Sequence, residues 1–237
     1  MSDQVRPGWD AIDNAIAACY PDQTEPLRFQ TRVPYREGGS DPLDAVAVLR
    51  ASEPRPHWLY VGYGLTDLYD DWDKTPILDE QGRKFSGLGV ELTMRVAADD
   101  AMDAEAMPPS WPAGLMQKLA SHMMSGGEIL MPGAMIVTGK PVVTGVETKL
   151  TAWAFTKDPE LEVLETPQGR VQFVQVVGLT EDEAAKAASV RPSSFLTIFQ
   201  IVQPKGIIDL GRESVLDNPQ FLDLTGAEAE ETDSEAN

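Results

Sequence analysis

Between Val90 and Val96 the chain alternates strictly. Val90, Leu92, Met94 and Val96 are apolar, and Glu91, Thr93 and Arg95 between them are polar. Successive side chains of a strand point to opposite faces, so a period of two fits a β-strand and not a helix. The pattern predicts a strand with one buried and one wet face, and it commits the chain to a sheet. Helical stripes stand beside it. Pro7-Gly8 opens a run in which Trp9, Ile12, Ile16 and Cys19 or Tyr20 recur at helical spacing until Pro21. On that stripe Cys19 reads as a small buried hydrophobe. Ser110 can cap a second helix, with Pro112 in its first turn, an apolar stripe of Met116, Leu119, Ala120 and Met123, and Gly126-Gly127 at its end. Thr180 with Glu183 matches a capping box ahead of an Ala-rich helix. Residues 195–202 read as a further helix after Ser193 or Ser194.

Strand-like stretches at residues 27–33, 43–49, 57–63, 148–156, 161–165 and 170–177 are separated by turn chemistry such as Gly38-Gly39-Ser40-Asp41-Pro42 and Pro54-Arg55-Pro56. Residues 64–89 read as an acidic loop, and residues 128–146 as short strands and turns. The summary is α+β: one domain over residues 1–225, with a mixed or mostly antiparallel sheet packed with helices. Residues 226–237 carry Glu228, Glu230, Glu231, Asp233 and Glu235 and no base, so they read as an acidic disordered tail.

Charge limits the function classes. Lys and Arg total 19 against 38 Asp and Glu, a net charge of −19 at pH 7. Nucleic acid and anionic lipid call for clustered positive charge, so neither is expected as a partner. A basic protein would be drawn to such a field. The single cysteine excludes an internal disulfide framework. The N-terminus is polar and no apolar run approaches the ~20 residues needed to span a bilayer, so the expected location is cytoplasmic.

No catalytic motif survives inspection. Gly139-Lys140 lies one residue too far from Gly133 for a phosphate-binding loop, and Pro141 replaces the magnesium-holding hydroxyl. Gly62-Tyr63-Gly64 and Gly87-Leu88-Gly89 lack the third glycine of a dinucleotide fingerprint; Gly64, Gly87 and Gly89 read as turn or close-packing positions. His57 reads as a strand-edge histidine, His122 as structural, and Trp58 and Trp111 as core anchors. The spacing of Asp67, Asp70, Asp71 and Asp73 offers oxygen ligands but matches no calcium loop. No catalytic, cofactor or metal residue is assigned; a metal-assisted hydrolase built on Asp67 to Asp73 is the alternative, and a self-associating subunit a further one.

Several ordered blocks resemble the Suppressor of fused domain: Asp41-Pro42-Leu43-Asp44, His57-Trp58-Leu59-Tyr60, Gly64-Leu65-Thr66-Asp67-Leu68-Tyr69, Ser86-Gly87-Leu88-Gly89-Val90-Glu91-Leu92-Thr93-Met94-Arg95, and later Pro108-Pro109-Ser110-Trp111-Pro112-Ala113 and Thr166-Pro167-Gln168-Gly169. The resemblance covers about residues 9–210. It implies a non-enzymatic α+β domain that binds a protein. In the animal members a transcription factor is gripped as an extended peptide between this domain and a second one. Carried over block by block, the resemblance points to Tyr60 and Asp71, with Asp70 adjacent and Asp67 on the same stretch, as partner-binding residues. The mode would be strand addition. The sequence ends soon after the first domain, so the two-domain clamp is not expected. Single-domain members resemble bacterial proteins thought to act as immunity proteins, which suits an acidic inhibitor of a basic toxin effector.

Overall fold

The computed structural model describes residues 6–23, 25–69, 77–98 and 106–225. Nine strands and four α-helices are found there: α1 (Pro7–Cys19), β1 (Leu27–Gln30), β2 (Ala45–Ala51), β3 (His57–Tyr63), β4 (Ile77–Leu78), β5 (Lys84–Ala97), α2 (Trp111–Met124), β6 (Met135–Val137), β7 (Leu150–Lys157), β8 (Leu164–Thr166), β9 (Gly169–Thr180), α3 (Glu181–Ser189) and α4 (Pro192–Val202). The fold is α+β. Its contacts divide the chain into two compact units, one of residues 1–131 and 157–175, the other of residues 132–156 and 176–237.

In the first unit the hydrogen-bonded order is β1-β2-β3-β5-β9, with β4 beside β5 and β8 beside β9. The pairs β1–β2, β2–β3, β3–β5, β4–β5 and β8–β9 are antiparallel. Register fixes which residues share a face. Leu27 lies opposite Val48, Val48 opposite Tyr60, and Tyr60 opposite Met94. This face carries Trp58 and Val96 as the next pair, and α2 packs against β3 and β5. The opposite face carries Ala45, Ala47, Leu49, Leu59, Val61 and Tyr63, and α1 lays Trp9, Ile12 and Ile16 on it, with Leu161, Val171 and Phe173 completing the cluster.

The sheet is therefore clothed on both sides, and this overturns the expected wet face of β5. Glu91, Thr93 and Arg95 are each 0 % exposed. Alternation told the two faces apart; it did not tell that α1 and residues 158–161 cover the polar one. Two further expectations change. β5 begins at Lys84, so the acidic stretch from residue 64 is only partly loop. Cys19 is exposed, because it is the last residue of α1 and lies past the buried stripe that ends at Ile16. His57 is the first residue of β3, at the strand's edge beside Pro56, and it is fully buried. Ser110 does precede α2, but its hydroxyl makes no capping bond.

In the second unit the order is β9-β7-β6, and β6–β7 is antiparallel. Its core joins Ala152, Ala154, Val177 and Leu179 from the strands to Phe195, Leu196, Phe199 and Val202 of α4 and to Val215 and Phe221. The predicted capping box is present: Glu183 Oε2 accepts from the Thr180 N–H at 2.9 Å. The same buried carboxylate accepts from Arg212 Nη1 at 2.6 Å and Nη2 at 2.5 Å, and from the Val215 N–H at 2.7 Å.

Candidate functional site

The stretch that follows β3 is held from beneath. Glu91 of β5 turns its Oε1 to the end of β3 and accepts from the Gly64 N–H at 3.0 Å, the Thr66 N–H at 3.0 Å and the Thr66 hydroxyl at 2.6 Å. Its Oε2 makes no hydrogen bond among the described residues. Burial dominates this carboxyl and lifts its pKa to about 7, against the opposing hydrogen bonds from Thr66 and Gly64. Gly64 has φ +148°, and a Cβ there would meet the Pro42 carbonyl oxygen at 2.5 Å, so only glycine fits. Gly87, at φ +53°, approaches the Leu65 carbonyl in the same way.

Asp67 lies on this turn and is buried. Its N–H donates to Ser86 Oγ at 2.9 Å, and its Oδ2 accepts from the Gly87 N–H at 2.8 Å. Asp67 thus ties the turn after β3 to the start of β5 through its N–H and its carboxylate. Tyr69 donates to Asp44 Oδ2 at 2.7 Å, and the Arg36 guanidinium lies 3.8 Å from its ring centroid. Desolvation and the bond to Asp44 push the Tyr69 hydroxyl up to about 12. Asp70, Asp71 and Asp73 lie outside the described residues.

Tyr60 stands in the middle of β3, fully buried, and its hydroxyl donates to the Pro109 carbonyl at 2.7 Å. Burial raises its pKa. Tyr60 and Asp67 therefore engage different elements, the segment before α2 and the start of β5 at Ser86-Gly87. Trp58 is buried, in keeping with a core anchor.

The polar face of β5 holds a network that sequence reasoning missed. Arg95 reaches Asp158 Oδ2 at 2.7 Å through Nη1 and Oδ1 at 3.0 Å through Nη2, and Glu160 Oε2 at 2.9 Å. Thr93 donates to Asp158 at 2.6 Å, and Tyr20 to Glu160 at 2.6 Å. Burial alone would raise the Asp158 carboxyl, but the charge and hydrogen bonds of Arg95 hold it below the usual range. A strand read as half-wet gave no hint of this, because its alternation of Glu91, Thr93 and Arg95 with apolar residues carries no local sign that the polar face is covered. Cys19 lies beside the network, its thiol 3.6 Å from the Glu160 carbonyl oxygen. Desolvation and the Glu160 and Asp158 carboxylates push its pKa up, opposite to what a nucleophile needs. Among the described residues no group of three or more His, Cys, Asp or Glu side chains is arranged to hold a metal ion, and no helix is long and apolar enough to cross a membrane.

Fold and site together define an α+β domain whose sheet is covered on both faces and whose central strand ends in a turn braced by a buried carboxylate. The family model of Suppressor of fused protein (SUFU) matches residues 39–213. This chain belongs to the Suppressor of fused family. It is 33% identical over 205 residues to the human Suppressor of fused homolog, an alignment covering 84% of this chain and 41% of the human protein. The chain thus spans less than half the length of that relative. Among solved structures it is similar to the Sufu–Fu complex structure, with a TM-score of 0.81, 29% identity, and coverage of 92% of this chain and 96% of that one. It is equally similar to Drosophila Suppressor of Fused, with a TM-score of 0.81, 29% identity, and coverage of 95% of this chain and 55% of that one.

Proposed function

We propose that this chain is a non-enzymatic protein-binding module that captures a partner through the stretch beginning at the braced turn, Asp67, Asp70 and Asp71, together with Tyr60. The observation that carries the reading is the close structural likeness to a relative described in complex with another protein, Fu. The seating of the turn supports it. A loop fixed by Glu91, Ser86 and Gly87 loses little further freedom on binding, which favours recognition. Tyr60 is fully buried, so in this reading it meets a partner only where the segment at Pro109 moves aside and its hydroxyl exchanges one hydrogen bond for another.

A net charge of −19 suits a basic partner, or an extended basic segment. Neutralisation of a basic toxin effector, the role of an immunity protein, is the form of this reading that the acidity favours. The test is affinity capture from native lysate with the full chain and with its Asp70→Lys/Asp71→Lys variant, at low and high salt. A basic protein held by the unaltered chain at low salt, weakened by high salt and lost with the variant is the expected result. Equal capture by both baits overturns the assignment of these aspartates.

A further inference from the structure

A second surface lies at the other end of β3. The turn follows Tyr63, whereas Trp58 is the second residue of the strand, some 15–20 Å away at the ordinary rise of a strand. Beside Trp58 the structure opens a groove of about 480 Å3, lined by Pro26, Leu27, Val48, Trp58, Met107 and Pro108, with Asp22 and Glu25 among its polar residues. Its floor is the buried pair Val48 and Trp58, and its walls are exposed: Leu27 is 44 % and Met107 74 % accessible. Arg50 is fixed within it, donating to the Ala106 carbonyl at 2.7 Å with its guanidinium 5.0 Å from the Trp58 ring centroid. Gln23 fixes the rim by bonding the backbone of Arg50 in both directions, at 2.6 and 2.8 Å. The groove is thus built by side chains held in place.

Its outer border is β1, the terminal strand of the unit, paired only with β2 among the described residues. In an antiparallel pair, alternate residues turn their N–H and C=O groups away from the neighbour, so β1 offers a row of backbone donors and acceptors beside an apolar slot. Asp22 and Glu25 are exposed and form no ion pair among the described residues. We infer that this groove and the open edge of β1 together take an extended segment of a partner protein, with an apolar side chain in the slot and Lys or Arg flanking it against Asp22 and Glu25.

Charge selects this occupant over the alternatives. The chain's own residues 226–237 carry five carboxylates and no base, and the acidic rim repels them. A second copy brings a net charge of −19 against the same rim. A basic extended segment meets opposite charge and completes the edge hydrogen bonds. The inference rests on the reading of the chain as a protein-binding module but concerns a different surface from the turn.

The test is selection of a random ten-residue peptide library displayed on phage against the full chain, followed by affinity measurement of the enriched peptides. Three variants are compared: Leu27→Glu/Met107→Glu, Asp22→Lys/Glu25→Lys, and Asp71→Lys. The groove substitutions lie at exposed side chains, and an unchanged thermal midpoint checks that each variant folds. The expected result is enrichment of peptides alternating apolar with Lys or Arg, whose affinity falls at least tenfold on both groove variants and is unchanged by Asp71→Lys. Peptides that lose binding only to Asp71→Lys overturn the groove and leave the turn reading standing. No enrichment overturns the groove, and so does a homodimer abolished by Leu27→Glu/Met107→Glu, which would assign the edge to a second copy.

Discussion

Arg95 and Asp158 form a two-pronged ion pair with both side chains at 0 % exposure, closing at 2.7 and 3.0 Å. The remaining acceptor capacity of Asp158 is filled by the Thr93 hydroxyl and by the N–H groups of Glu160 and Leu161, each near 2.6–2.9 Å. Within the pair, only the buried Arg95 Nε lacks a partner among the described residues. In a pair buried this deeply, losing a single partner leaves an uncompensated charge in the core.

Asp158→Ala should therefore cost about 3–5 kcal/mol in urea denaturation, and Arg95→Met/Asp158→Leu should recover much of that loss. The pair also sets an acid limit. Its folded carboxyl is held below the ordinary aspartate value of 3.8, so its contribution is present above about pH 4 and is lost as pH falls through the lowered folded value. Stability of the unaltered chain should decline below pH 4 more steeply than that of the double variant.

Glu91 has the opposite sign. Its folded pKa of about 7 stands above the ordinary glutamate value of 4.5, so the unfolded chain ionises first and gains on the folded one as pH rises between those values. Above pH 7 the penalty is constant. Glu91→Gln keeps an oxygen for Gly64 and Thr66 and removes the ionisation. Relative to the unaltered chain, the variant should gain on the order of 1–3 kcal/mol between pH 4.5 and 8, read from denaturation midpoints at each pH. A flat difference across that window would rule out Glu91 as the titrating group.

Gly64→Ala places a methyl group against the Pro42 carbonyl in a backbone region that side chains rarely adopt. A loss of at least about 1–3 kcal/mol is expected, with faster amide exchange at Leu65 and Thr66 by NMR.

Tyr60→Phe removes only the bond to the Pro109 carbonyl. The expected loss is about 0.5–1.5 kcal/mol, with the aromatic packing on β3 retained. Amide exchange should quicken at Trp111 and Ala113, where α2 begins, and not at Thr66.

Much of the fold was legible in the residues. The proline-led start of α1, the stripe of Met116, Leu119, Ala120 and Met123 on α2, and the Thr180–Glu183 box each carry a local physical signature, and local signatures survive folding. What was not legible depended on covering elements far away in sequence. Glu91, Thr93 and Arg95 look solvated until α1 and residues 158–161 are laid over them. Tyr60 and Asp67 stood out in their blocks, yet their hydrogen bonds to Pro109 and Gly87 belong to other segments. The groove beside β1 had no motif at all, because Leu27, Trp58 and Met107 meet only in three dimensions.

The two buried ion pairs also impose an order on the birth of the molecule. Arg95 waits 63 residues for Asp158, and Glu183 waits 29 for Arg212. On the ribosome the first member of each pair emerges as a naked charge that no core can accept. Neither buried pair can close before its later member has left the exit tunnel, so closure around Arg95 follows the synthesis of Asp158, and closure around Glu183 follows that of Arg212.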